Sequence, residues 1–113
     1  MNNFESVKSL IIQTIKERSG SFDGDSSEAD YGMNWDDKLS ESLDYVFCNM
    51  SNAASAKKSR DDVMLRVALL RSCIRLKELS FFFRDIHDDL EAFILEPGWP
   101  EIPEGYVYRE KLK

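Results

Sequence analysis

The sequence predicts an all-α fold: an antiparallel bundle of three to four helices with an irregular C-terminal arm. Three observations lead there. Residues 59–96 form one long run with helical periodicity, helix-start signals recur before each apolar segment, and Pro97-Gly98 closes the last run. The chain has 113 residues, 42% of them hydrophobic and 12% aromatic, which suits one domain spanning 1–113 with a real core.

The first helix is expected over about 3–19. Asn2 and Glu5 have the spacing of a capping box, Phe4, Val7, Ile11 and Ile15 make an apolar stripe, and Gly20 is a suitable stop. From Ser19 to Met33, glycines, serines and aspartates break every period, so a loop is expected. The second helix is expected over about 34–56. Asn34 begins it, Asp36 and Asp37 favour the positive end of its dipole, and Trp35, Leu39, Leu43, Val46, Phe47, Met50, Ala53 and Ala54 line one side.

The third helix is expected over about 60–95, with Ser59 as its cap and Asp61 and Asp62 behind it. Its apolar residues fall on two stripes. Val63, Val67, Leu70, Ile74 and Phe81 share one side; Leu65, Leu69, Leu76, Leu79 and Phe83 share another. A surface helix needs one stripe, so two stripes predict a helix sandwiched between neighbours. An unbroken run would reach about 50 Å at ~1.5 Å per residue. A bend or break is therefore expected near Ser80 to Asp85. The tail over 97–113 carries Pro100 and Pro103 and cannot be a long helix.

The formal charge of −6 argues against a broad nucleic-acid surface, because phosphate binding depends on lysine and arginine releasing counterions. The charge lies in blocks. Asp23 to Asp44 holds eight acids against Lys38, Lys57 to Lys77 holds seven bases against Asp61 and Asp62, and Asp85 to Glu104 holds seven acids and no lysine or arginine. No apolar run approaches the roughly 20 residues of a membrane span. The N-terminus lacks the pattern of a signal peptide. Cys48 and Cys73 lie within helical segments, so buried reduced thiols and a cytoplasmic location are expected.

Little in the sequence points to catalysis or to a cofactor. His87 is the single histidine and converges only with Glu91, which is too small a set for a metal site. The loop from Asp23 opens like a calcium loop but has Glu28 where glycine is required and Asn34 where glutamate is required. No enzyme activity, cofactor or metal is expected. Asp85, Asp88, Asp89 and Glu91 instead form an acidic helix face, with Phe82, Trp99, Tyr106 and Tyr108 as aromatic anchors, which together would suit a basic protein partner.

Small size, acidity and lack of catalytic motifs resemble those of bacterial immunity proteins. The likeness implies an inhibitor that occludes the active site of a basic toxin such as a nuclease. The alternative expectation is a structural or adaptor subunit that completes its helical bundle as a homodimer or within a complex.

Overall fold

A side-chain oxygen starts each helix. Asn3 accepts from the Ser6 N–H at 2.8 Å, Asn34 from Asp37 at 2.9 Å, and Asp61 from Met64 at 3.0 Å. The computed structural model describes residues 3–110, and these caps open α1 (Phe4–Ser19), α2 (Trp35–Ser59) and α3 (Asp62–Ile94). A single 3-10 turn covers Gly24–Ser26, and there is no strand among the described residues. Asp61, not Ser59, caps α3. Ser59 is the last residue of α2, where its hydroxyl bonds back to Ser55 and Ala56 carbonyls. Asn2 lies outside the described residues. Gly20 ends α1 in the left-handed conformation, φ 84°, and returns its N–H to Lys16.

The first turns of α1 and α2 are locked by an exchange of carboxylates. Asp36 of α2 accepts the Phe4 and Glu5 N–H groups at 2.8 and 3.0 Å, while Glu5 of α1 accepts the Trp35 N–H at 2.9 Å. Each acid thereby meets donors that the other helix cannot satisfy within itself. Lys8 closes the cluster, 2.9 Å from Glu5 and donating to the Met33 carbonyl. Trp35 lies within this junction, fully buried, with its indole N–H donated to Asp30.

After the turn at Arg60 the chain doubles back, so that Tyr45 meets Arg75 and Trp35 meets Phe82. The seam follows one line on each helix, in alternating steps of four and three residues. On α2 it runs Trp35, Leu39, Ser42, Val46, Asn49, Ala53 and Ala56; on α3 it runs Ala68, Ser72, Arg75, Leu79, Phe82, Ile86, Asp89 and Phe93. This is the spacing of a heptad seam. Toward the turn its members are small, so the helices approach closely and little of either is covered.

Beyond Trp35 there is no more α2 for α3 to pack on, and α1 with the 28–33 loop takes its place. Ile11, Ala29, Trp35 and Ile86 form the core there, ringed by Phe4, Val7, Ile15, Tyr31, Met33 and Phe82. The molecule therefore has a packed head and a two-helix arm. Its extents are 61 × 35 × 23 Å and its radius of gyration is 19.7 Å. A compact domain of this length would have a radius of about 13 Å.

Two expectations for α3 fail. The helix is continuous through Ser80 to Asp85, because its seam line runs unbroken from α2 onto the head. Nor is it sandwiched. Val63 is 76% exposed, Val67, Leu70, Ile74, Leu69, Leu76, Phe81 and Phe83 are exposed as well, and only Leu79 of the two predicted stripes is buried. The residues that α3 buries in the arm are Ala68 and Ser72.

Ser42 is fully buried in the seam, and its hydroxyl has no hydrogen-bond partner. Replacing an unsatisfied hydroxyl by hydrogen removes a cost of about 1–3 kcal/mol. Ser42→Ala should therefore raise the melting temperature by a few degrees. A lower melting temperature in calorimetry would show that this hydroxyl contributes to the seam.

Candidate functional site

The acidic end of α3 divides into acids that hold the head together and acids that face outward. Asp89 belongs to the first group. Its carboxylate accepts the Glu28 and Ala29 N–H groups at 2.8 and 3.0 Å and the Tyr31 hydroxyl at 3.0 Å. It sits on the seam line of α3 and fastens the loop over the core. Burial, and then the neighbouring Asp89 carboxylate, push the Tyr31 phenol well above its usual range, so it stays a donor. Asp85 is half-buried and lies 3.2 Å from Arg84, so the molecule's own arginine answers part of its charge.

Asp88 and Glu91 belong to the second group. Both flank His87, with Asp88 at 3.0 Å from Nδ1 and Glu91 at 3.8 Å from Nε2. The hydrogen bond to Asp88, helped by the Glu91 charge, raises the His87 pKa above 6.5. Glu96, Glu101 and Glu104 continue the exposed acidic surface into the C-terminal segment.

The aromatic residues divide in the same way. Phe82 is half-buried in the head, 6.0 Å from Trp35, 6.2 Å from Phe4 and 5.3 Å from Phe83 between ring centroids. It is a core residue covered by α1. Trp99 anchors the tail. Arg18 stacks on its ring at 3.7 Å and donates to the Gly98 carbonyl, and its indole N–H returns to Phe93. Past this staple the chain adopts no regular structure through residue 110. Ile102, Tyr106, Val107 and Tyr108 stand exposed, Tyr108 at 75%. Of the residues expected to meet a partner, Asp88, Glu91, Tyr106 and Tyr108 are thus free to do so, Trp99 stands at the edge, and Phe82, Asp85 and Asp89 are engaged internally.

The larger apolar surface is on the arm, where the sequence led us to expect a core. Lys38 of α2 and Glu78 and Asp85 of α3 lie together around a cleft on one flank of the seam, partly roofed by Ala29 and Met33. The heptad register then places Leu43, Phe47, Met50 and Ala54 of α2 beside Leu69, Cys73 and Leu76 of α3 on the opposite flank. All but Leu43 are exposed, Phe47 at 64%. Contiguous apolar area of this kind is uncommon on the surface of a monomeric protein. Both cysteines are exposed as well, contrary to the expected buried thiols, because each lies outside the seam line.

Catalytic geometry is sparse. Among the described residues, no group of three or more histidine, cysteine or acidic side chains could hold a metal ion. Among the same residues, no helix is long and apolar enough to cross a membrane. The hydrogen bond from Lys8, then that from the Trp35 N–H, holds the Glu5 carboxyl below its usual value. The resulting contribution to stability is present above pH 4.5 and is lost as pH falls through the depressed value.

Truncating Asp89 leaves two backbone donors and the Tyr31 hydroxyl without their acceptor. Asp89→Ala should therefore destabilise the fold by about 2–3 kcal/mol in urea titration. A loss below about 0.5 kcal/mol would return Asp89 to the exposed acidic face. For His87 the linkage has the opposite sign from that of Glu5. Its stabilising pair with Asp88 is complete below pH 6.5 and disappears as pH rises through the raised folded-state value. Titration followed by NMR should give a His87 midpoint above 6.5, and Asp88→Asn should lower it. An identical midpoint in the variant would sever the pair.

Compared with known protein families, curated proteins and solved structures, the chain matches none.

Proposed function

We propose that this chain is a protein-binding inhibitor of the immunity or antitoxin kind, which docks an acid-rich end on a basic partner and needs no chemistry of its own. One observation carries the reading. The end of α3 and the segment 96–108 carry five outward acids, Asp88, Glu91, Glu96, Glu101 and Glu104, together with exposed Ile102, Tyr106, Val107 and Tyr108, and the segment has no lysine or arginine of its own. An apolar and aromatic centre with a charged rim is the composition of a protein interface. A single sign of charge also accelerates encounter with a surface of the opposite sign. The free thiols of Cys48 and Cys73 fit a reducing compartment, which supports a cytoplasmic location.

The alternative of an adaptor or self-associating subunit is favoured by a different observation, the exposed apolar flank of the arm. The two readings use opposite ends of the molecule and are compatible.

Capture from native lysate with paired baits tests the inhibitor reading. The wild-type chain should retain a basic protein that is released by salt, and the Asp88→Lys, Glu91→Lys double variant should retain at least about tenfold less of it, through slower association. Both substitutions lie at outward positions, so the helical content of the variant should be unchanged. Equal recovery on the two baits would remove the acidic end from the mechanism.

A further inference from the structure

The arm combines two features that the inhibitor reading does not use: a bare apolar flank and a charge gradient along the long axis. From these we infer that two copies of this chain pair along their arms, side by side and in opposite directions, as a four-helix bundle closed by a two-fold axis.

The flank itself has the right form for this. Leu43, Phe47, Met50 and Ala54 follow one another in steps of four and three along α2, and Leu69, Cys73, Leu76, Ser80, Phe83, His87, Leu90 and Ile94 do so along α3. That is the same spacing as the seam already buried within the chain. A second heptad line beside the first is what a helix shows when it serves two interfaces. In the head, α1 meets this flank at Phe83, with Phe4 5.8 Å away between ring centroids, while Leu90 and Ile94 stay exposed. In the arm nothing from the same chain meets it.

Charge selects both the occupant and its direction. Near the turn, the arm carries Lys57, Lys58, Arg60, Arg66 and Arg71 against Asp61 and Asp62. Toward the head, the start of α2 carries Asp36, Asp37, Glu41 and Asp44 against Lys38 alone. Two copies lying in the same direction would place like charges side by side, which disfavours that arrangement. Reversing one copy brings each basic tip alongside the acidic start of the other's α2. A two-fold axis makes both contacts identical and closes the assembly at two.

The axis has a natural position. The stretch of the exposed α3 line that lies in the arm, Leu69–Cys73–Leu76, is centred on Cys73. A two-fold there brings Cys73 against Cys73 of the second copy and lays Lys57 and Lys58 toward the start of the second copy's α2. Both acid-rich ends remain at the poles of the dimer, clear of the interface.

Three measurements on the full chain test this pairing. Light scattering at tens of micromolar should give twice the monomer mass of 13.1 kDa. Leu76→Glu, at a half-exposed position, should raise the dimer dissociation constant by at least about 100-fold, since the charge enters the interface twice. In Cys48→Ser, mild oxidation or a short bismaleimide should link the Cys73 pair in high yield. High salt should weaken the wild-type dimer.

A monomer at every concentration up to the millimolar range would overturn the inference. So would a dimer that does not link through Cys73, or one that Leu76→Glu leaves intact. Should Leu76→Glu lose its helical circular dichroism, the Cys73 linkage decides by itself. None of these results bears on capture of a basic partner by Asp88 and Glu91.

Discussion

Close approach of α2 and α3 along one narrow line is the constraint on which the rest of this molecule depends. Ala53 and Ala56 on one helix, with Ala68 and Ser72 on the other, let the backbones come together without interposed bulk. Close-packed helices of this kind bury one line each. Most of the arm's larger apolar residues off that line are therefore left at the surface, including Phe47, Met50, Leu69 and Leu76. The functional reading follows from this geometry, because a surface that the fold does not use is available to another molecule.

Polar exchange fixes the other end. The Glu5 and Asp36 carboxylates cross between two helix N-termini that would otherwise present like partial charges to each other. Lys8 offsets the acids, and Trp35 fills the space beneath. Asp89 does the corresponding work for the loop, and Arg18 on Trp99 for the tail. These four fastenings convert an acid-rich segment into a folded head. They also explain why the acidic surface available to a partner is smaller than the count of acids suggests.

The start of α2, the stop at Gly20, the length of α1 and the helical nature of residues 62–94 could be read from caps and periodicity. The position of α3 in the fold could not. Its two stripes were found by following the largest apolar side chains, whereas the line it buries is marked by Ala68, Ser72, Leu79, Ile86 and Phe93 in steps of seven and four. A small residue contributes little to an apolar count yet permits the closest contact, so hydrophobicity alone points to the wrong side of such a helix. Strict alternation of four and three, followed through the small residues as well, would have identified it. The internal roles of Asp89 and Phe82 had no signal of that kind. Both depend on residues about 60 to 80 positions distant meeting across the head, and a charge or aromatic pattern within one helix contains no information about that.

Overall dimensions in solution test the one-line seam most directly. Small-angle scattering, extrapolated to zero concentration, should give a radius of gyration near 20 Å or larger, in keeping with the 19.7 Å of the arm-bearing chain. Pairing of two such chains would not reduce it. A value close to the roughly 13 Å of a compact domain of this length would mean that α3 is enclosed after all, and that no arm projects.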